Sequence, residues 1–282
     1  MSPEIFFAVA FSALFQASWN FVTKSSKADK IALLSVGWFA LGILLLPVAL
    51  YFDPISTWTA RAGWFMLASG LVHGVYLCTL GWAYKLGEIS VVYPIARGLG
   101  VAGTTLITVG LQVHLVSLQG GLGILAVVLG TMVMAMREVP DLNARKAFSM
   151  AVLVGLIVSA YSVIDSFGSR ETSVLVYLAL MNLTAPIFAA PYLFWRLKPE
   201  MMAVCKKHKF EASFVAMAGS VSYGIVLWAY QRSPAAYVAT TREVSVVFAT
   251  LLGIFILKER ADWRKSAGIV MIVLGLVLIK LA

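Results

Sequence analysis

GILAVVLGTMVM at residues 123–134 returns 145 positions later as GIVMIVLGLVLI at residues 268–279, with five of the twelve positions identical. Val-Leu-Gly at 128–130 and 273–275 is the shared centre. Other matches keep nearly the same spacing: Trp82-Ala83-Tyr84 recurs as Trp228-Ala229-Tyr230, and Pro47 has its counterpart in Pro191. Each Trp-Ala-Tyr precedes an apolar segment with an embedded arginine, Arg97 in one copy and Arg242 in the other. One such match among apolar residues is easily chance. Four in the same order at nearly constant spacing point to a duplication, with residues 1–140 as the first unit and 141–282 as the second.

The composition says what each unit is made of. Of 282 residues, 61% are hydrophobic and 12% charged, and mean hydropathy is +0.90. A soluble domain carries about 25% charged residues, so this much apolar side chain needs lipid as its solvent. Charges cluster between apolar runs of about twenty residues, the length that crosses a bilayer core. Ten spans are expected, near 4–23, 31–52, 62–84, 88–111, 119–136, 147–167, 173–195, 211–231, 235–257 and 263–281. A cleaved signal is the minor reading of the first, because Glu4 precedes it and Lys24, Lys27 and Lys30 follow it. Five spans per unit is an odd number, so the second copy enters the membrane from the opposite face. The expected fold class is an all-α membrane protein of two inverted five-helix repeats.

A net charge of +9 suggests nucleic acid only until the charges are placed. Twenty of the 22 Lys and Arg residues fall at helix ends or in short loops, which is a topology signal and not a phosphate-tracking groove. Loops after odd-numbered spans hold sixteen: Lys24, Lys27 and Lys30; Lys85; Arg137, Arg145 and Lys146; Arg196, Lys198, Lys206, Lys207 and Lys209; and Lys258, Arg260, Arg264 and Lys265. The other side has Arg61, Arg170, Arg232 and Lys280. That asymmetry puts both termini outside and the basic loops in the cytoplasm. Cys78 lies in an apolar run and Cys205 in a basic loop, an arrangement that implies neither a disulfide framework nor a metal site.

Inverted repeats place a substrate site near the bilayer midplane, where the two copies meet. Ten spans as five plus five, Trp19-Asn20-Phe21 in the first, short polar loops, and Lys258-Glu259-Arg260 before a Gly-rich last helix resemble the EamA family of drug/metabolite transporters. Within it, the aromatic-rich third and fourth spans look most like the YddG-type bacterial exporters of aromatic and other amino acids. The resemblance implies an inner-membrane exporter with a cavity lined by spans one, three, four, six, eight and nine.

Polar groups at bilayer depth are costly and therefore candidates for function. Tyr93, Arg97, Gly100 and Thr104 share one face of the fourth span, one turn beyond the kink expected at Pro94. Arg97 would meet a substrate carboxylate, pair with Glu243 to hold the halves together, or do both. Thr240, Thr241, Arg242 and Glu243 follow one another in the ninth span, and a proton carrier is a further reading of Glu243. His73 and Tyr76 in the third span, Trp19 and Asn20 in the first, Tyr161 in the sixth and Tyr223 in the eighth complete the expected substrate site. The bland readings are an interfacial belt for Trp19 and Tyr161 and a hydrogen-bonded structural role for His73. Asn182 and Thr184 read as interhelical hydrogen-bond formers.

Several pattern matches carry no chemistry. Gly98-Leu99-Gly100-Val101-Ala102-Gly103 fits G-x-G-x-x-G but no strand precedes it, so it reads as a close-packing stripe. Asn182-Leu183-Thr184 fits a glycosylation acceptor but lies inside a span. With no nucleotide loop and no nucleophile–base pair, the chain reads as a transporter and not an enzyme. No cofactor or metal is expected, and the expected partners are a small-molecule substrate and the bilayer. A monomer is the working expectation. Rival readings are a multidrug or organic-cation exporter, a channel and a membrane-embedded enzyme.

Overall fold

The structure, a computed structural model, describes residues 1–86, 89–113, 116–135, 142–256 and 262–282. Arg137, Lys258, Glu259 and Arg260 lie outside the described residues. Among the described residues there is no strand. The helices are α1 (Pro3–Ser25), α2 (Lys30–Phe52), α3 (Ala60–Leu86), α4 (Ile89–Gly110), α5 (Leu118–Ala135) and α6 (Leu142–Gly168) in the first stretch. Then come α7 (Val174–Arg196), α8 (Lys198–Lys207), α9 (Lys209–Tyr230), α10 (Ala235–Thr241), α11 (Val244–Phe255) and α12 (Trp263–Leu281), and a short 3-10 turn sits at Ile55–Thr57. Among the described residues, eight stretches are long and apolar enough to cross a membrane, one of them Ala235–Leu252, which runs through α10 and α11.

Local chemistry starts the helices where the sequence permits. Asp29 caps α2 by accepting from the amides of Ile31 and Ala32 at 3.0 Å each. Ser173 caps α7 through the amide of Val176, and Pro3 and Pro199 occupy first turns, where their missing N–H costs nothing.

Two elements differ from expectation. The basic loop expected at 196–210 contains α8, and the ninth span is not one helix but breaks at Arg242 and Glu243. There the amide of Glu243 donates to Thr240 and that of Ser245 to Arg242, three residues back instead of four. Charged side chains with partners on different helices are better served by a tightened turn than by a regular α ladder.

α1 packs on α9, α3 on α6 and α7, α4 on α6, α2 on α7, and α5 on α12. The last contact is reciprocally close in backbone terms. A Cβ at Gly123 would lie 2.7 Å from the carbonyl oxygen of Gly275, and one at Gly275 would lie 2.6 Å from that of Gly123. Gly130 and Gly268 repeat the relation at 2.8 and 2.6 Å. Only glycine lets the two backbones approach this closely. The stripe expected on α4 also packs closely, with Gly98 against Thr131 of α5 and Gly100 and Gly103 against Val158 and Ser159 of α6.

Polar contacts gather the connections at two ends of the bundle. At one end, Lys85 pairs with Asp29 at 2.5 Å, Lys24 donates to the carbonyl of Tyr84, and the hydroxyl of Ser26 donates to Glu211. At the other end, Arg61 pairs with Glu171 at 3.2 Å, and Asp53 accepts from Thr172 and from the amide of Ser173 at 3.0 Å each. Connections after odd-numbered and even-numbered spans are thus separated, as alternate crossings require.

Candidate functional site

The bundle encloses a cavity between α1, α2, α3, α6, α7, α9 and the break after α10. Six expected residues line it: Trp19, His73, Tyr76, Tyr161, Tyr223 and Arg242. Gln16, Trp38, Met181, Asn182, Gly219 and Ser220 complete the lining. The space open to the centres of water-sized molecules is about 30 Å³, room for about two waters.

Helical spacing builds the aromatic wall. His73 and Tyr76 are one turn apart on α3, and Tyr161 meets them from α6. The His73 and Tyr161 rings stack with centroids 4.3 Å apart, and Tyr76 meets Tyr161 edge-on at 5.4 Å. Tyr223 closes the group from α9, 5.9 Å from Tyr161. Trp19 and Tyr161 are buried, at 4% and 3% exposure, so neither is a membrane-interface belt residue.

Arg242 is the cation of this cavity. Its Nη2 donates to Gln16 Oε1 at 3.1 Å and its guanidinium lies 5.2 Å from the centre of the Tyr223 ring. Its Nε is buried with no hydrogen-bond partner. The partner amide is neutral, so the positive charge is not matched by an acid at contact distance among the described residues.

Arg97 stands differently. Its Nη2 is 2.6 Å from Glu243 Oε1, with both side chains buried, and neither residue lines the main cavity. They share a closed pocket with Gly100, Val158, Ser162 and Arg242. Of the alternatives for Arg97, the pairing is the one present. Tyr93 is also apart from the cavity, its hydroxyl 2.8 Å from Ser245 Oγ. Asn20 receives the Tyr84 hydroxyl at 2.6 Å and donates to the carbonyl of Gln16 at 2.7 Å. Thr241 donates to the carbonyl of Tyr237. These residues brace the site from behind, while Asn182 makes the interhelical hydrogen bond expected of it, to Ser220 at 3.0 Å.

Gln16, Trp38, Met181, Gly219 and Ser220 were not among the expected site residues, and neither was one buried acid. Asp165, fully buried, accepts hydrogen bonds from the hydroxyls of Tyr177 (2.8 Å) and Tyr223, and its Oδ2 is 3.8 Å from His73 Nε2. His73 Nδ1 lies 3.0 Å from the carbonyl oxygen of Ser69. A carbonyl only accepts, so Nδ1 carries the proton and Nε2 is left facing the carboxylate. Asp165 stands three residues from the end of α6, where an acid ordinarily reaches water. Its only signal was two tyrosines, Tyr177 and Tyr223, in apolar runs without evident partners.

Residues 145–281 match the EamA-like transporter family. No curated protein matches the chain. A solved crystal structure of another protein, 17% identical, superposes with a TM-score of 0.70 over 98% of this chain and 95% of its own. At that identity the likeness is one of fold.

Proposed function

We propose that this chain, whose residues 145–281 match the EamA-like transporter family, is a secondary carrier that exports small carboxylate-bearing solutes, amino acids with aromatic side chains among them. It has ten spans in two inverted repeats. The family match covers nearly the whole of the second repeat unit read from sequence, which supports 141–282 as a module. The α5–α12 contact supports the inversion. At the repeat offset Gly123 corresponds to Gly268 and Gly130 to Gly275, so the contacts 123–275 and 130–268 are each other's images, as a pseudo-two-fold axis requires. α1 on α9 and α6 on α3 are likewise images of one another.

The observation that carries the substrate class is Arg242. It sits at a break in a membrane helix, faces a cavity walled by aromatic rings, and is hydrogen-bonded to a neutral amide. A carboxylate would take the charge-assisted hydrogen bonds that Gln16 supplies only weakly, and His73, Tyr76, Tyr161 and Tyr223 would pack on an aromatic side chain. Arg97, held by Glu243, joins the halves instead. The present cavity is too small for such a solute, so loading requires the repeats to move apart on one side, as alternating access does. Sixteen basic residues on one side support a bacterial inner-membrane orientation with both termini periplasmic.

Counterflow in proteoliposomes tests this. Phenylalanine and tyrosine should exchange, phenylalanine amide should not, and Arg242→Gln should abolish exchange while the protein keeps its thermal transition. An organic cation that exchanges while amino acids do not would replace this reading with a multidrug exporter.

A further inference from the structure

Seen from outside the bundle, the connection between α7 and α9 brings cations and exposed apolar side chains together. Arg196, Lys198, Lys206, Lys207 and Lys209 crowd into fourteen residues, and within the same stretch and at its edges Phe194, Trp195, Met202 and Phe210 are exposed at 64%, 78%, 51% and 81%. α8 runs through it and lies against α2, α7 and α9. Leu197 and Val204 are buried on its inner side. Two of the flanking cations cover aromatic rings, Arg196 over Trp195 at 4.2 Å and Lys209 over Phe210 at 5.3 Å. A short helix with one face on protein, apolar side chains outward and cations at both ends belongs at a lipid headgroup boundary.

The outward face is not flat. Phe194 from the end of α7 and Lys198, Met201, Met202, Cys205 and Lys206 of α8 line a groove of about 410 Å³. Its floor is apolar and its only charged lining groups are the two lysines, which stand roughly 12 Å apart along the helix axis. Glu200, the acid of α8, is not among the lining residues. Apolar floor and paired cations are complementary to an acyl chain beneath an anionic headgroup. A zwitterionic headgroup brings its own cation and so has no net charge to set against the two ammonium groups.

We infer that this groove is a binding site for an acidic phospholipid, with the acyl chain along Phe194, Met201 and Met202 and the anionic headgroup lying between Lys198 and Lys206. The bound lipid fixes α8 in the leaflet on the side of the basic loops. Each lysine near an anionic surface favours it several-fold, so two in one groove should select the acidic lipid over phosphatidylcholine by roughly tenfold.

Cys205 provides the probe, because it is exposed and lines the groove. The full chain with Cys78→Ser, labelled at Cys205 with a bimane fluorophore, goes into phosphatidylcholine nanodiscs containing a small fraction of brominated lipid. Brominated phosphatidylglycerol should quench well beyond brominated phosphatidylcholine at the same mole fraction. K198Q/K206Q should bring the two to the same level, and K207Q/K209Q, equal in charge but outside the groove lining, should keep most of the preference. A thermal transition matching the parent confirms that each variant is folded. Equal quenching by the two brominated lipids overturns the inference. So does a preference that survives K198Q/K206Q, since the selectivity would then come from diffuse charge and not from this groove.

Discussion

Arg97 Nη2 lies 2.6 Å from Glu243 Oε1, joining α4 of the first half to the break between α10 and α11 in the second. The residues are 146 apart, close to the spacing at which the sequence repeats, and the counterpart of Arg97 is Arg242, the immediate neighbour of Glu243. Glu243 Oε2 and Arg97 Nε have no hydrogen-bond partner, so the pair depends on its single close contact.

Breaking one side of this pair should cost more than removing both. Glu243→Leu leaves a guanidinium buried without a counter-charge, and Arg97→Met a carboxylate, a loss of about 3–5 kcal/mol in each case. Arg97→Met with Glu243→Leu removes both desolvated charges and should unfold at a higher temperature than either single variant. Thermal unfolding in detergent gives the cycle, and additive single effects would show that the residues do not interact.

The α5–α12 contact predicts a sharp contrast between glycines. Gly123→Leu or Gly275→Leu drives a side chain into the opposing backbone, which cannot retreat as a side-chain end could, and should lower the unfolding temperature by several degrees. Gly63 on α3 has open space around it, so Gly63→Ala should be neutral or slightly stabilising, by up to about 1 kcal/mol. Equal effects at Gly63 and Gly123 would contradict the close approach.

The long apolar helices were readable because lipid compatibility is written residue by residue. Gly123, Gly130, Gly268 and Gly275 stood in the aligned segments, and the structure puts them in reciprocal contact. Six of the eleven candidate site residues line the cavity, since depth along a helix follows from counting. Rotation about the helix axis does not follow from counting, and there the reading was weaker. Arg97 and Arg242 were equivalent in sequence, and only the fold shows one paired with an acid and the other facing the cavity. Asp165 was passed over because nearness to a helix end suggested solvent, whereas α3, α7 and α9 cover it with His73, Tyr177 and Tyr223. Helix α8 was hidden because a basic, mixed segment has no strong period.

Asp53, in the connection after α2, predicts a pH dependence. Its carboxylate accepts from the Thr57 hydroxyl at 2.5 Å, from Thr172 and from the amide of Ser173, and these bonds, that from Thr57 foremost, hold its pKa down to about 2. A lowered folded-state pKa contributes stability that is complete above the unfolded value near 3.8 and is lost as pH falls toward 2. The parent protein should therefore lose more unfolding temperature between pH 4.5 and pH 2.5 (roughly the window of this titration) than Asp53→Asn does. Parallel curves for the two proteins would mean that these hydrogen bonds do not persist in solution.

Orientation in the membrane is the last expectation and rests on charge and on the two ends of the bundle. Lys24, Lys85, Asp29, Ser26 and Glu211 meet at one end, and Asp53, Arg61, Glu171 and Thr172 at the other. Basic residues concentrate on the first side by sixteen to four, and positive charge is retained in the cytoplasm. Cys205 belongs to the basic side and is exposed, and Ile55, 63% exposed, belongs to the opposite side. In a Cys78→Ser background, a membrane-impermeant maleimide added to intact cells should leave Cys205 unlabelled and should modify Ile55→Cys placed in a protein with Cys205→Ser. After permeabilisation both should react, which shows that the thiol at 205 was shielded by the membrane and not by the fold. Labelling of Cys205 in intact cells, with Ile55→Cys protected until lysis, would invert the topology and place the α8 groove in the outer leaflet.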